Sequence, residues 1–376
     1  MPEEQHIALP GVPCKQGAPQ QGGLGATMAL TTSCPGLAMV VPQPIERFLQ
    51  ETGPLLDVRT PAEFAQGHIP GAVNLPLFSD AERAEVGTLY KQQGRQAAVL
   101  HGLAVVGPRL KALAADLAAC SAAAQGAPLR LTCWRGGMRS GSVALLAESL
   151  ELPVCVLHGG YKSFRRWALE LFERPWPLLL LGGRTGCGKT ELLLALQQRG
   201  VAVVDLEGLA NHRGSSFGGL GLPQQPSTEH YENQLAIALR ALEGAAAIWL
   251  EAESAMVGRC RIPAGLWRQM KAAPVLEVQR PLEQRLAHLV AVYGQHDPDA
   301  VAEATRRIAK RLGPQRTAVA LEAIANGEAA EACRQMLDYY DRCYDHDLSG
   351  RGGASVELGE QSAEQAAARL LADGLI

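Results

Sequence analysis

The hydrophobic positions of this chain fall into short runs, each ending in a charge or a turn. Pro54-Leu55-Leu56-Asp57-Val58, Leu129-Arg130-Leu131-Thr132 and Val154-Cys155-Val156-Leu157 predict short buried strands. Thr60-Pro61-Ala62-Glu63 predicts a helix start, with Thr60 as N-cap, Pro61 at the first position and Glu63 three after the cap. Residues 140–150 read as a helix. So do residues 97–119, although Gly102 and Gly107-Pro108 should break the start of that segment. A second series begins after Arg174-Pro175-Trp176-Pro177, whose two prolines suit a linker. It comprises strands at Leu178–Leu181, Val201–Val204, Ala245–Leu250 and Val275–Val278, with a helix over Glu191–Arg199. This rhythm predicts α/β architecture in two domains with mostly parallel sheets, over residues 41–173 and 174–346. Residues 1–40, rich in Gly, Pro and Gln, read as a disordered leader. Residues 347–376 read as a Gly/Ser-rich tail ending in an Ala/Glu helix.

Composition narrows the class. The chain has 376 residues, 47% hydrophobic and 19% charged, with a net charge of −3. Large buried cores are therefore possible, and a globally basic nucleic-acid binder is excluded. A local basic face is not. Between Arg259 and Arg316 eleven Lys or Arg residues meet five acids, which leaves that segment at +6. Arg306, Arg307, Lys310 and Arg311 fall there at helical spacing. Nine cysteines without C-x-x-C pairs argue against a disulfide framework or a structural zinc site. A reducing, cytoplasmic setting is expected, with no membrane span and no DNA partner.

Two motifs carry chemistry. In Cys133-Trp134-Arg135-Gly136-Gly137-Met138-Arg139-Ser140 a cysteine lies between a strand and a helix N-terminus. The positive end of the helix dipole, a backbone nest at Gly136-Gly137 and the Arg139 guanidinium all favour a thiolate and attract an anion. Cys133 is the candidate nucleophile. Arg135, Gly136, Gly137, Arg139 and Ser140 are the candidate anion cradle, with Asp57 and Arg59 beside them.

The second motif, Gly183-Arg184-Thr185-Gly186-Cys187-Gly188-Lys189-Thr190, fits G-x-x-x-x-G-K-[ST] and has the strand and helix that a phosphate loop needs on its flanks. Lys189 should reach the terminal phosphates and Thr190 a Mg²⁺ ion. Asp205 and, less directly, Glu251 end apolar strands, where a metal-linked acid would sit. The loop after Asp205 is rich in donors: Asn211, His212, Arg213, Ser215 and Ser216 are substrate-contact candidates.

Asp57-Val58-Arg59, Glu63-Phe64, the run Gly67-His68-Ile69-Pro70-Gly71-Ala72-Val73-Asn74-Leu75-Pro76 and Gly159-Gly160-Tyr161 resemble rhodanese signatures. One departure matters. Five residues separate Cys133 from Arg139, the C-x5-R spacing shared with thiol phosphatases, where common single-domain rhodaneses have four. The longer loop suits a phosphate-sized anion. A thiol phosphatase fused to a small P-loop NTPase therefore remains the alternative, and a nucleotide-gated RNA-binding module a further one. Thr132 rather than His precedes Cys133, and no general-acid Asp is evident, both of which speak against a phosphatase.

Taken together, the cysteine loop, the phosphate loop, residues 205–218 and Tyr339-Tyr340-Asp341 resemble the tRNA 2-selenouridine synthase family over about residues 44 to 346. The resemblance implies a rhodanese-like domain followed by a P-loop NTPase-like domain. It implies a transferase that geranylates the sulfur of wobble 2-thiouridine in tRNA, then replaces the geranylthio group with selenium from selenophosphate. Geranyl diphosphate would occupy the phosphate loop, and selenophosphate the C-x5-R loop, where Cys133 would accept selenium. Neither is a tightly bound cofactor. A Mg²⁺ ion, tRNA and selenophosphate synthetase complete the implied set, with the basic segment as the tRNA contact.

Overall fold

The computed structural model describes residues 40–348 and 353–376, so the expected leader lies outside the described residues. The first domain contains α1 (Ile45–Gln50), β1 (Leu55–Asp57), α2 (Pro61–Gln66), β2 (Ala72–Asn74), α3 (Asp80–Gln93), α4 (Arg95–Val106), α5 (Leu110–Ala123), β3 (Leu129–Thr132), α6 (Met138–Ser149), β4 (Val154–Val156) and α7 (Gly160–Leu171). Its sheet runs β2-β1-β3-β4, and every pairing is parallel. Strand β1 is buried throughout, β3 alternates Leu129-Arg130-Leu131-Thr132, and β2 at the sheet edge leaves Val73 exposed. The expected capping box forms at α2: the Thr60 hydroxyl accepts from the Glu63 amide, and Glu63 reaches back to the Thr60 amide. The long helix expected over 97–119 is two helices. Gly107-Pro108 sits in a 3-10 turn between α4 and α5, whereas Gly102 stays inside α4, buried against Phe78.

The second domain holds β5 (Leu178–Gly182), α8 (Lys189–Gln197), α9 (Leu206–Ala210), α10 (Thr228–Ala241), β6 (Ile248–Glu251), a β7–β8 hairpin (Met256–Val257, Cys260–Arg261), α11 (Ala264–Ala272) and β9 (Val275–Gln279). A helical bundle follows: α12 (Leu282–Tyr293), α13 (Pro298–Leu312), α14 (Pro314–Ala325) and α15 (Ala329–Leu348). The chain ends with β10 (Ala354–Glu357) and α16 (Ala363–Ala372). The sheet order is β10-β9-β5-β6, all parallel. The strand expected over Val201–Val204 reduces to one bridge, Val203 to Trp249, because the chain turns straight into α9. The C-terminal segment that the sequence sets apart as a tail is built into this domain. Its β10 pairs with β9, and Ala366, Ala367 and Leu370 of α16 share a buried core with Leu192 and Leu196 of α8.

One core joins the two domains. Tyr161, Phe164, Trp167 and Leu171 of α7 pack in the same buried cluster as Leu180 of β5 and Tyr231, Leu235 and Leu239 of α10. The Pro-rich connection is anchored as well: the Trp176 indole donates to the Leu171 carbonyl at 3.1 Å, and its amide to Gln269 Oε1 at 2.8 Å.

Candidate active site

Both cradles lie where a parallel strand hands over to a helix. Cys133 follows β3 and is buried, with Sγ 3.2 Å from the Ser140 hydroxyl. Gly137, the N-cap of α6, has no side chain with which to cap it. Among the described residues, no backbone carbonyl accepts from the amides of residues 134–137. Those donors and the helix dipole place positive potential beside the thiol. The Gly159-Gly160-Tyr161 segment closes the loop from behind. The Tyr161 amide donates to the Cys133 carbonyl at 2.8 Å, and Lys162 to that of Trp134 at 3.0 Å. A Cβ at Gly160 would lie 2.2 Å from the Cys133 oxygen, so only glycine permits this approach.

The charged residues expected here divide. Arg135 stands exposed at the rim. Arg139 is mostly buried and forked onto Glu63, at 2.6 and 3.2 Å. Burial works against ionising Glu63, but the hydrogen bond and charge of Arg139 outweigh it and hold the carboxyl below its usual value. Asp57 and Arg59 are fully buried and paired with each other at 2.7 Å. The Arg59 guanidinium lies 3.8 Å from the Tyr161 ring centroid and donates to the Gly67 carbonyl at 2.7 Å. These two residues therefore brace the loop from within and have no surface on which to meet an anion.

At the phosphate loop a cavity of about 770 Å³ is lined by Gly183, Thr185, Gly186, Gly188, Lys189 and Thr190. Cys187 faces the core instead and is buried, and Arg184 is exposed outside the cavity. Lys189 Nζ donates to the Gly183 carbonyl at 2.7 Å. Gly186 has φ +84°, and a Cβ there would lie 2.9 Å from the Arg285 carbonyl. Arg285, itself buried, donates through Nε to the Thr185 carbonyl at 2.8 Å and forks onto Asp341 of α15. The bundle thus holds the loop in shape.

The acid beside Thr190 is not Asp205. Asp205 caps α9, accepting from the Gly208 amide at 2.7 Å. Glu207 takes its place: the Thr190 hydroxyl donates to Glu207 Oε2 at 2.7 Å. Glu253 faces Glu207. Burial, then the facing carboxylate, push Glu207 up to about 8, and burial raises Glu253 as well. Thr190, Glu207 and Glu253 all line the cavity. Among the described residues no preformed cluster of three or more His, Cys, Asp or Glu could hold a metal ion. Glu251 is buried beneath, accepting from the Leu206 amide at 3.0 Å, and burial raises it well above its usual value.

Of the donor-rich loop, Arg213, Ser215 and Ser216 line the cavity, whereas Asn211 and His212 do not. Asn211 ends α9 in a left-handed conformation and donates to the Gln224 carbonyl at 3.2 Å. His212 packs against Gly218. The Ser216 amide donates to Tyr340 Oη at 3.1 Å, so the Tyr339-Tyr340-Asp341 motif anchors both this loop and the phosphate loop. Arg306, Arg307, Lys310 and Arg311 are exposed on α13, and Arg311 also lines the cavity. Elsewhere in the basic segment, Arg280 and Arg285 are committed to backbone carbonyls, and Arg268 and Arg316 to Glu173 and Asp338. Glu207 lies within the loop that the sequence singles out, but nothing local marks it over Asp205. Glu253 carried no local signal, and Glu63 was marked as a capping residue, not as the partner of Arg139.

Fold and site define a rhodanese-like cysteine domain joined to a phosphate-loop domain. Residues 42–166 match the rhodanese-like domain model, and residues 176–370 match the tRNA 2-selenouridine synthase AAA domain model, which takes in β10 and most of α16. A tRNA 2-selenouridine synthase from Alcanivorax borkumensis is 36% identical over 351 residues, covering 84% of this chain and 94% of its own. One from Marinobacter nauticus is 36% identical over 340 residues, covering 81% and 91%. One from Shewanella denitrificans is 36% identical over 337 residues, covering 80% and 90%. The chain belongs to the tRNA 2-selenouridine synthase family. No helix among the described residues is long and apolar enough to cross a membrane.

Proposed function

We propose that this protein converts 2-thiouridine at the wobble position of tRNA to 2-selenouridine in two transfers. In the first, the thiocarbonyl sulfur attacks C1 of geranyl diphosphate. The C1–O bond breaks, the uridine N3 proton is released to solvent, and diphosphate leaves onto the Gly183–Thr190 loop, where Lys189 neutralises it. A Mg²⁺ ion held by Thr190 and Glu207 would add charge at the same place. In the second, selenium from selenophosphate forms the bond to C2 of the uridine. The C2–S bond breaks, geranylthiol leaves with a proton, and water takes the phosphoryl group as phosphate. The Cys133 loop holds the selenium-bearing anion, and Cys133 supplies the thiolate there. Alkylation turns a poor sulfur leaving group into a good one, which is why the two reactions belong on one chain. The expected donor is the product of selenophosphate synthetase.

The observation that carries this reading is the presence of two anion cradles of different chemistry on one shared core, in a member of this family. A thiol phosphatase fused to a small P-loop NTPase would carry the same two cradles, and it is the family membership that favours selenium transfer over it. Nucleoside mass spectrometry of tRNA from cells with and without the protein tests the reading. The 2-selenouridine mass should vanish with the protein, and its persistence would contradict the proposal.

A further inference from the structure

A second cavity, of about 100 Å³, lies inside the α12–α15 bundle. Thr185, Ser215, Leu289, Tyr293 and Tyr340 line both it and the larger phosphate cavity, so the two share a wall. Beyond that wall the lining is mostly carbon: Phe217, Val301, Ile324, Ala332, Met336 and Leu337. The hydroxyls gather on the phosphate side. Burial pushes the thiol of Cys333, also in the lining, up to about 11, so it adds no charge.

We propose that this pocket takes the hydrocarbon tail of the prenyl diphosphate whose head the phosphate loop binds. The inference rests on the prenyl-donor reading above and gives the tail its own residues. A branched hydrocarbon has no polar atom to satisfy, so a carbon-lined pocket gains its full transfer free energy. A nucleobase in the same place would bury ring nitrogens and amino groups against carbon. His296 Nε2, also in the lining, is buried without a hydrogen-bond partner. The position also suits the chemistry. With the tail inside the bundle and the diphosphate on the loop, the reacting carbon sits at the shared wall.

The test is competitive binding to the full-length protein with geranyl diphosphate, inorganic pyrophosphate, farnesyl diphosphate and GTP. Ala332→Leu fills the pocket and Met336→Ala widens it. The native protein should prefer geranyl diphosphate over pyrophosphate by about a hundredfold. Ala332→Leu should lose at least about tenfold on geranyl diphosphate while keeping pyrophosphate within about twofold. Met336→Ala should shift preference toward farnesyl diphosphate. A native protein that binds pyrophosphate or GTP as tightly as geranyl diphosphate would sink the prenyl-donor reading and the pocket with it. A native preference that survives Ala332→Leu would leave the donor reading standing and place the tail elsewhere. Should Ala332→Leu fail to fold, Met336→Ala decides: an unchanged chain-length preference overturns the pocket.

Discussion

The phenol of Tyr161 donates to Glu229 Oε1 at 2.6 Å while the amide of the same residue holds the carbonyl of Cys133 at 2.8 Å. One residue thus touches the thiolate loop and, across the domain boundary, helix α10. Asn233 Nδ2 donates to the same phenol at 2.8 Å. Tyr161→Phe keeps the ring over Arg59 but strips both partners of their bond. Leaving buried polar groups unpaired costs roughly 1–3 kcal/mol. Chemical denaturation of native and variant proteins should show that loss. Equal midpoints would mean the junction does not depend on this bond.

The same boundary carries a pH response. His230 stacks near His68, with ring centroids 4.0 Å apart. Burial, then the facing His68, push His230 down to about 4 from 6.5. The unfolded chain therefore binds the proton first, and stability should be complete above about pH 6.5 and fall as pH drops toward 4. Discounted for a half-exposed ring, the loss is on the order of 1 kcal/mol. Denaturation midpoints measured across this range should decline less steeply in His230→Gln. Parallel curves would remove the histidine pair as the cause.

Cys133→Ser should abolish selenium transfer and spare geranylation, because the prenyl step needs only the phosphate loop. Cys187→Ala should be mild, since that thiol faces the core away from the cavity. The separate products are read by mass spectrometry of the modified nucleoside. Selenation at the native rate in the serine variant would take Cys133 out of the mechanism.

Reversing Arg306, Arg307, Lys310 and Arg311 to Glu should weaken tRNA binding and flatten its salt dependence. Every duplex phosphate that the variant no longer neutralises takes about 0.9 off the log–log slope. All four are exposed on α13, and Ile308 and Leu312, which anchor the helix, are untouched. Titrations at several salt concentrations, with circular dichroism as a check on folding, measure this. Unchanged affinity and slope would move the tRNA contact to Lys162, Arg165 and Arg166, although Arg165 is already paired with Glu232.

What the sequence made legible is what local patterns encode. β4 and β5 stand out as short apolar runs, β1 as an apolar pair ending in Asp57 and β3 as an alternating Leu-Arg-Leu-Thr, and the Thr60–Glu63 capping box lies within four residues of chain. The two cradles follow from residues adjacent in sequence. The acid beside Thr190 was not legible, since Asp205 at a strand end looks alike whether it binds an ion or caps a helix. The place of the C-terminal segment depends on pairing Ala354 with Leu276, a contact no local pattern records. Arg59 reads as a member of the anion cradle until its burial between Asp57 and Tyr161 is seen. Helix α3 has no buried residue, and so no apolar stripe to announce it.

The most direct test of two linked transfers is a time course of nucleoside masses with purified Lys189→Ala, which removes the ammonium that lines the phosphate cavity. Given tRNA bearing 2-thiouridine, geranyl diphosphate and selenophosphate, the variant should form neither the S-geranyl nor the selenium product. Given tRNA already S-geranylated, it should form 2-selenouridine at close to the native rate. A folded variant that fails on the geranylated tRNA, or that selenates 2-thiouridine tRNA without the geranyl intermediate, would contradict the account.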